Sequence, residues 1–97
     1  MRLDLFLKAS RLCPRRSVAQ MLCDAKLVYL NDRPAKSGLE LKVRDVVHLE
    51  LGSRAITVEV VRVPEGAVAA QDAADLYRII AELRRPPEVL SWSPDQE

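Results

Sequence analysis

Residues 2–16, RLDLFLKASRLCPRR, together with the helical run they feed, RRSVAQMLCDA at 15–25, decide how this chain folds. On a 3.6-residue period Leu3, Phe6, Leu7 and Ser10 share one side, and Asp4, Lys8 and Arg11 an adjoining one. Pro14 suits the first turn of a second helix, where its missing N–H is not needed. In that helix Val18, Met21, Leu22 and Ala25 recur at i, i+3, i+4 and i+7, which predicts a buried stripe. Arg16 then falls on the opposite face and Arg15 at the stripe's edge. Two short helices joined by a tight turn would crowd Arg11, Arg15 and Arg16 at one corner. The start of the second helix adds open N–H groups and a positive dipole end there. Such a corner is suited to a polyanion, and RNA is the one expected.

The whole-chain charge hides this. Ninety-seven residues with a net charge of +1 and pI ≈ 7.8 suggest one ordinary folded domain. The distribution is uneven: residues 1–44 hold ten basic and four acidic side chains, a balance of +6, and the remainder five and ten, or −5. This is the pattern of a basic face on an acidic body, although a solvated face with no ligand would share it. No signal peptide or membrane-spanning run is visible, so a cytoplasmic protein is expected. Cys13 and Cys23 form no CxxC and have no polarising partner in sequence, so both are read as structural thiols.

Beyond Ala25 the pattern turns strand-like. Val28–Leu30, the turn pair Asn31-Asp32 and then Arg33-Pro34 read as a small hairpin with Pro34 at an edge. Leu39, Leu41 and Val43 alternate with charged residues and suggest another strand or extended connection. Val46 to Leu51 and Arg54 to Val63 predict an antiparallel hairpin turning at Gly52, with Ile56, Val58 and Val60 on one face. From about Val68 a helical pattern returns, with Ala69, Ala73, Leu76, Tyr77, Ile80 and Leu83 along one side, until Pro86-Pro87. The expected fold class is α+β: a two-helix basic motif on a small, mainly antiparallel sheet, plus a C-terminal helix. The divisions are 1–63 for an RNA-binding domain, 64–85 for a helix packing on it, and 86–97 for a flexible tail.

Five short motifs in order carry a family resemblance: Arg2-Leu3-Asp4-Leu5-Phe6-Leu7, Ser10-Arg11-Leu12, Arg15-Arg16, Val28-Tyr29-Leu30-Asn31 and Lys42-Val43-Arg44-Asp45. Together they resemble the S-four RNA-binding domain over about residues 1–63. AADLYRII at 73–80 and the absence of an attached catalytic domain are similar to the stand-alone members that serve bacterial ribosome-associated quality control. That resemblance implies partners: large-subunit rRNA, P-site tRNA, the obstructed large ribosomal subunit, and an RqcH-type factor that adds alanine tails to stalled chains. No P-loop, zinc spacing or nucleophile with a histidine and an orienting acid is visible, so no enzyme activity, cofactor or metal is expected. A monomer is expected. The chain departs from the pattern at Leu5 and Pro14, where relatives often carry a basic residue. A further departure is Lys26, where a glycine often ends the second helix.

The RNA-binding residues expected are Arg2, Lys8, Arg11, Arg15, Arg16 and Lys36, which would meet phosphates by charge and, for arginine, by planar paired donation. Asp4 reads as a helix-start charge or an orienting partner for an arginine. For Arg16 the competing role is a surface pairing with Gln20 or Asp24. Phe6 and Tyr77 read as core and not as stacking platforms, so shape and phosphate should be recognised in place of a linear motif. Alternative functions are heat-shock-type ribosome recycling, ribosome assembly, or a protein adaptor without RNA.

Overall fold

The computed structural model describes residues 1–84 of the chain. Helices α1 (Leu3–Ala9) and α2 (Arg16–Asp24) come first. Strands β1 (Val28–Leu30), β2 (Arg33–Pro34), β3 (Val46–Glu50) and β4 (Arg54–Val60) follow, then a 3-10 helix, Ala70–Leu76, and β5, Tyr77–Arg84. The strands form one sheet in the order β2-β1-β3-β4-β5, with every neighbouring pair antiparallel. The expected class, α+β with a basic two-helix motif on an antiparallel sheet, is the one adopted.

The helices pack on one face of that sheet. Leu3, Phe6 and Leu7 of α1 have no exposed surface and join Val47 and Leu49 of β3 with Ile56, Val58 and Val60 of β4 in one core. Both periodicities meet here, 3.6 on the helix and 2 on the strands. Burying Phe6 alone contributes about 2–3 kcal/mol. Cys13 and Cys23 are buried in the same core, as structural thiols should be.

Local turns follow from residue type. Asn31 (φ 51°) and Asp32 (φ 71°) are both left-handed, as a two-residue hairpin turn requires. The Asn31 side chain is itself structural: its Oδ1 accepts from the Val46 N–H at 3.0 Å and its Nδ2 donates to Asp45 at 3.3 Å. Gly52 (φ 81°) reverses the chain between β3 and β4. At the end of α2 the Leu27 N–H bonds to the Leu22 carbonyl and the Lys26 N–H to that of Cys23, the paired closure of a Schellman motif. Lys26 supplies its left-handed residue at φ 62°, where glycine would be free of strain, a cost of about 1 kcal/mol.

Two expectations need correction, and a third narrows to one of its alternatives. The buried residues of α2 are Ala19 and Cys23; Val18 and Leu22 are only partly buried, and Met21 is 62% exposed. The stripe is rotated because small side chains let α2 approach α1 closely, and size-weighted periodicity undervalues them. Residues 39–43 take the extended connection and not the strand of the two alternatives. Only the single bridge between Arg2 and Glu40 pairs there, and the segment then curls so that the Asp45 carboxylate accepts the Lys42 N–H at 2.8 Å. The helical reading beyond Val68 holds for Ala70–Leu76, as a 3-10 helix, but Tyr77–Arg84 is a strand along β4. YRIIAELR fits both periods, and pairing with the whole of β4 decides for the strand. The expected tail at 86–97 lies outside the described residues.

Candidate nucleic-acid interface

Arg2 caps the start of α1 with extended backbone, and the next residue but one, Asp4, has a side chain with no solvent exposure. A buried carboxylate at this place needs donors, and four groups supply them. Arg2 reaches Asp4 through Nε and Nη2, both at 3.3 Å. Arg16 Nε donates at 3.0 Å and Gln20 Nε2 at 2.9 Å. The Leu5 backbone N–H completes the set at 2.8 Å. Arg16, Ala19, Gln20 and Cys23 are spaced i, i+3, i+4, i+7, so the face of α2 that meets the core also carries both side chains onto α1.

Burial acts to raise the Asp4 pKa, but the hydrogen bonds from Gln20 and Arg16 and the charges of Arg16 and Arg2 outweigh it. The carboxyl therefore ionises below its ordinary value of 3.8. One negative charge then faces two guanidiniums, and the pair retains a surplus positive charge at the surface. Both arginines keep close to half their side-chain area in solvent, 44% for Arg2 and 43% for Arg16, so they are oriented without being buried.

Arg15 stands next to Arg16 as the N-cap of α2, exposed and with no side-chain capping bond, which leaves the first-turn N–H groups open to an acceptor. Lys36 is brought in by the backbone. The carbonyls of Ser37 and Leu39 accept the N–H groups of Asp4 and Leu3, so the segment after Lys36 runs along the start of α1. Gly38 lies against the Arg2 guanidinium, where an added Cβ would stand 3.5 Å from Nη2. Arg2 and Arg16 thus meet at Asp4, with Arg15 next in sequence to Arg16 and Lys36 next to the segment that runs along the start of α1.

Lys8 and Arg11 do not join the Asp4 network. Lys8 sits one turn further along α1 and is exposed. Arg11 (φ 65°) turns away, its Nη2 donating to the Val68 carbonyl at 3.4 Å. The sequence reading missed that Gln20 is a third side-chain donor to Asp4. Its position four residues after Arg16 was the available signal.

The class is that of S4-domain proteins: the S4 domain model matches residues 1–47, the stretch that holds the helix pair and Asp4. A solved structure of trimeric Vibrio cholerae Heat Shock Protein 15 superposes with a TM-score of 0.77 and 27% identity, covering 84% of this chain and 82% of that one. The RQC P-site tRNA stabilizing factor of Streptococcus pneumoniae is 39% identical over 84 residues, 87% of this chain and 94% of its own. Those of Halalkalibacterium halodurans and Bacillus subtilis are 38% and 34% identical over 82 residues, covering 84% of this chain and 92% and 94% of theirs. The chain belongs to the family of RQC P-site tRNA stabilizing factors.

Proposed function

We propose that this protein acts in ribosome-associated quality control in the cytoplasm, binding large-subunit rRNA and P-site tRNA on obstructed large subunits. In that setting it supports alanine tailing by an RqcH-type factor. The observation that carries the reading is the Asp4 hub. It holds Arg2 and Arg16 in fixed directions with net positive charge to spare, beside Arg15 and Lys36. Fixed guanidiniums recognise the spacing of phosphates on a folded RNA at little ordering cost, which suits a defined ribosomal location. The names and high coverage of the relatives support the same role.

The test is co-sedimentation with large subunits that carry tRNA against empty ones, across a salt series. The protein is expected to enrich on tRNA-bearing subunits, and log affinity to fall linearly with log salt. Arg15→Gln with Arg16→Gln should reduce the slope by about 2 and weaken binding. Unchanged co-sedimentation of the double variant would refute the arginine corner. Equal binding to empty subunits would instead favour an assembly role. Resemblance to Heat Shock Protein 15 favours recycling as the second reading, distinguished by whether tailing in a reconstituted reaction needs the protein.

A further inference from the structure

We infer that a cavity beside the basic corner receives a single nucleobase unstacked from single-stranded RNA, with its phosphates held outside by Lys8 and Arg11. The inference rests on the RNA-binding reading above and extends it to a second kind of contact. A cavity of about 470 Å³ opens between α1 and the loop at 65–68. Its volume lies in the range of small-ligand sites and exceeds what one base needs. Leu5, Ala9 and Val68 form apolar walls, with Lys8, Arg11 and Glu65 also lining it.

The order of these groups selects the ligand. Arg11, tethered through Nη2 to the Val68 carbonyl, spans from the end of α1 to the opposite wall. Its planar guanidinium can stack on a base, as arginines do with splayed-out RNA bases. Glu65 accepts hydrogen bonds from ring N–H and amino groups and repels phosphate, so the base goes in and its phosphates stay out. Lys8 and Arg11 pair with no carboxylate among the described residues, which leaves them for those phosphates. Lys8 is one helical turn from both Asp4 and Leu5, so it links the arginine hub to the cavity mouth. A strand of RNA following this line of cations passes the opening. An apolar peptide side chain would match the walls but leave the cations at the mouth without a counter-charge.

The test compares a short single-stranded RNA with an abasic RNA of equal length, by fluorescence anisotropy, on wild type and on Ala9→Phe and Val68→Phe. These variants fill the cavity from opposite walls, and circular dichroism identifies those that fold. Wild type is expected to prefer the base-bearing RNA about ten-fold. A folded variant should lose that preference and keep the salt dependence. Equal wild-type affinity for the two RNAs, or a preference retained by both variants, would overturn the base pocket and leave the phosphate-binding reading standing. Absence of binding to either RNA would also overturn the base pocket, and the co-sedimentation series decides the phosphate-binding reading separately.

Discussion

Two carboxylates in this molecule each attract two arginines, with opposite results. Asp4 meets Arg2 at 3.3 Å and Arg16 at 3.0 Å, has no exposed side-chain surface, and also accepts from Gln20 and the Leu5 N–H. Glu82 on β5 meets Arg54 at 3.3 Å and Arg84 at 3.5 Å with 26% of its side chain exposed and no further donor among the described residues. Water competes at Glu82 and is excluded at Asp4. A surface acid flanked by two bases is an ordinary solvated cluster, worth little to stability. A buried acid with every lone pair engaged fixes the direction of whatever donates to it. Counting charges would rate the two places alike; burial makes one of them a fixed display of guanidiniums.

The largest effect should follow from removing the buried acid. Asp4→Ala leaves four donor groups without their acceptor and should destabilise the fold by about 2 kcal/mol, a figure lowered because both arginines can turn into water. It should also weaken RNA binding although it adds net positive charge. Chemical unfolding with a parallel binding titration checks both, and tighter binding in the variant would show that charge, not direction, governs this surface.

Next comes pH. Folding lowers the Asp4 pKa below 3.8, so the stability from its ionised form is fully present above that value and lost as pH falls through the native one. Denaturant midpoints measured from about pH 5 down to about pH 2 should therefore fall more steeply in wild type than in Asp4→Asn. Parallel curves would mean that the carboxylate's charge adds nothing.

A smaller change reports on packing behind the hub. Burial first, and then the neighbouring Cys23 for Cys13 and the acids Asp4 and Asp24 for Cys23, push both thiols up to about 11. Labelling by a disulfide reagent near neutral pH should be slow in wild type and faster in Asp4→Ala, as the helix pair loosens. The smallest effect is expected on the other side of the comparison. Glu82→Gln should alter stability by no more than about 0.5 kcal/mol and leave RNA binding unchanged. A loss comparable to that of Asp4→Ala would erase the distinction.

What the sequence discloses about this fold depends on whether a pattern is local. The α1 stripe of Leu3, Phe6 and Leu7, the Asn31-Asp32 turn and the Gly52 hairpin are each set by a few adjacent residues, and all three are seen. The face of α2 is not legible in this way, because the burial of Ala19 and Cys23 depends on packing against α1, which one helix's period does not encode. Tyr77–Arg84 reads equally as helix in sequence because only pairing with distant β4 settles its period. The candidate site divides the same way. Its arginines stand out as charges, and Asp4 could be guessed as an orienting acid. That Arg16 and Gln20 reach it from twelve and sixteen residues away is tertiary information.

The register shift between β4 and β5 has a bearing on how the protein behaves when crowded. It falls beside Thr57 and Val58, where Ile80 is the unmatched residue on an outermost strand that also exposes Ile79 and Leu83. A flat apolar margin would invite other chains to add themselves in line, whereas a kink in the ladder spoils the template. Deleting Ile80 would straighten that margin and leave a longer regular apolar edge for another chain to pair with.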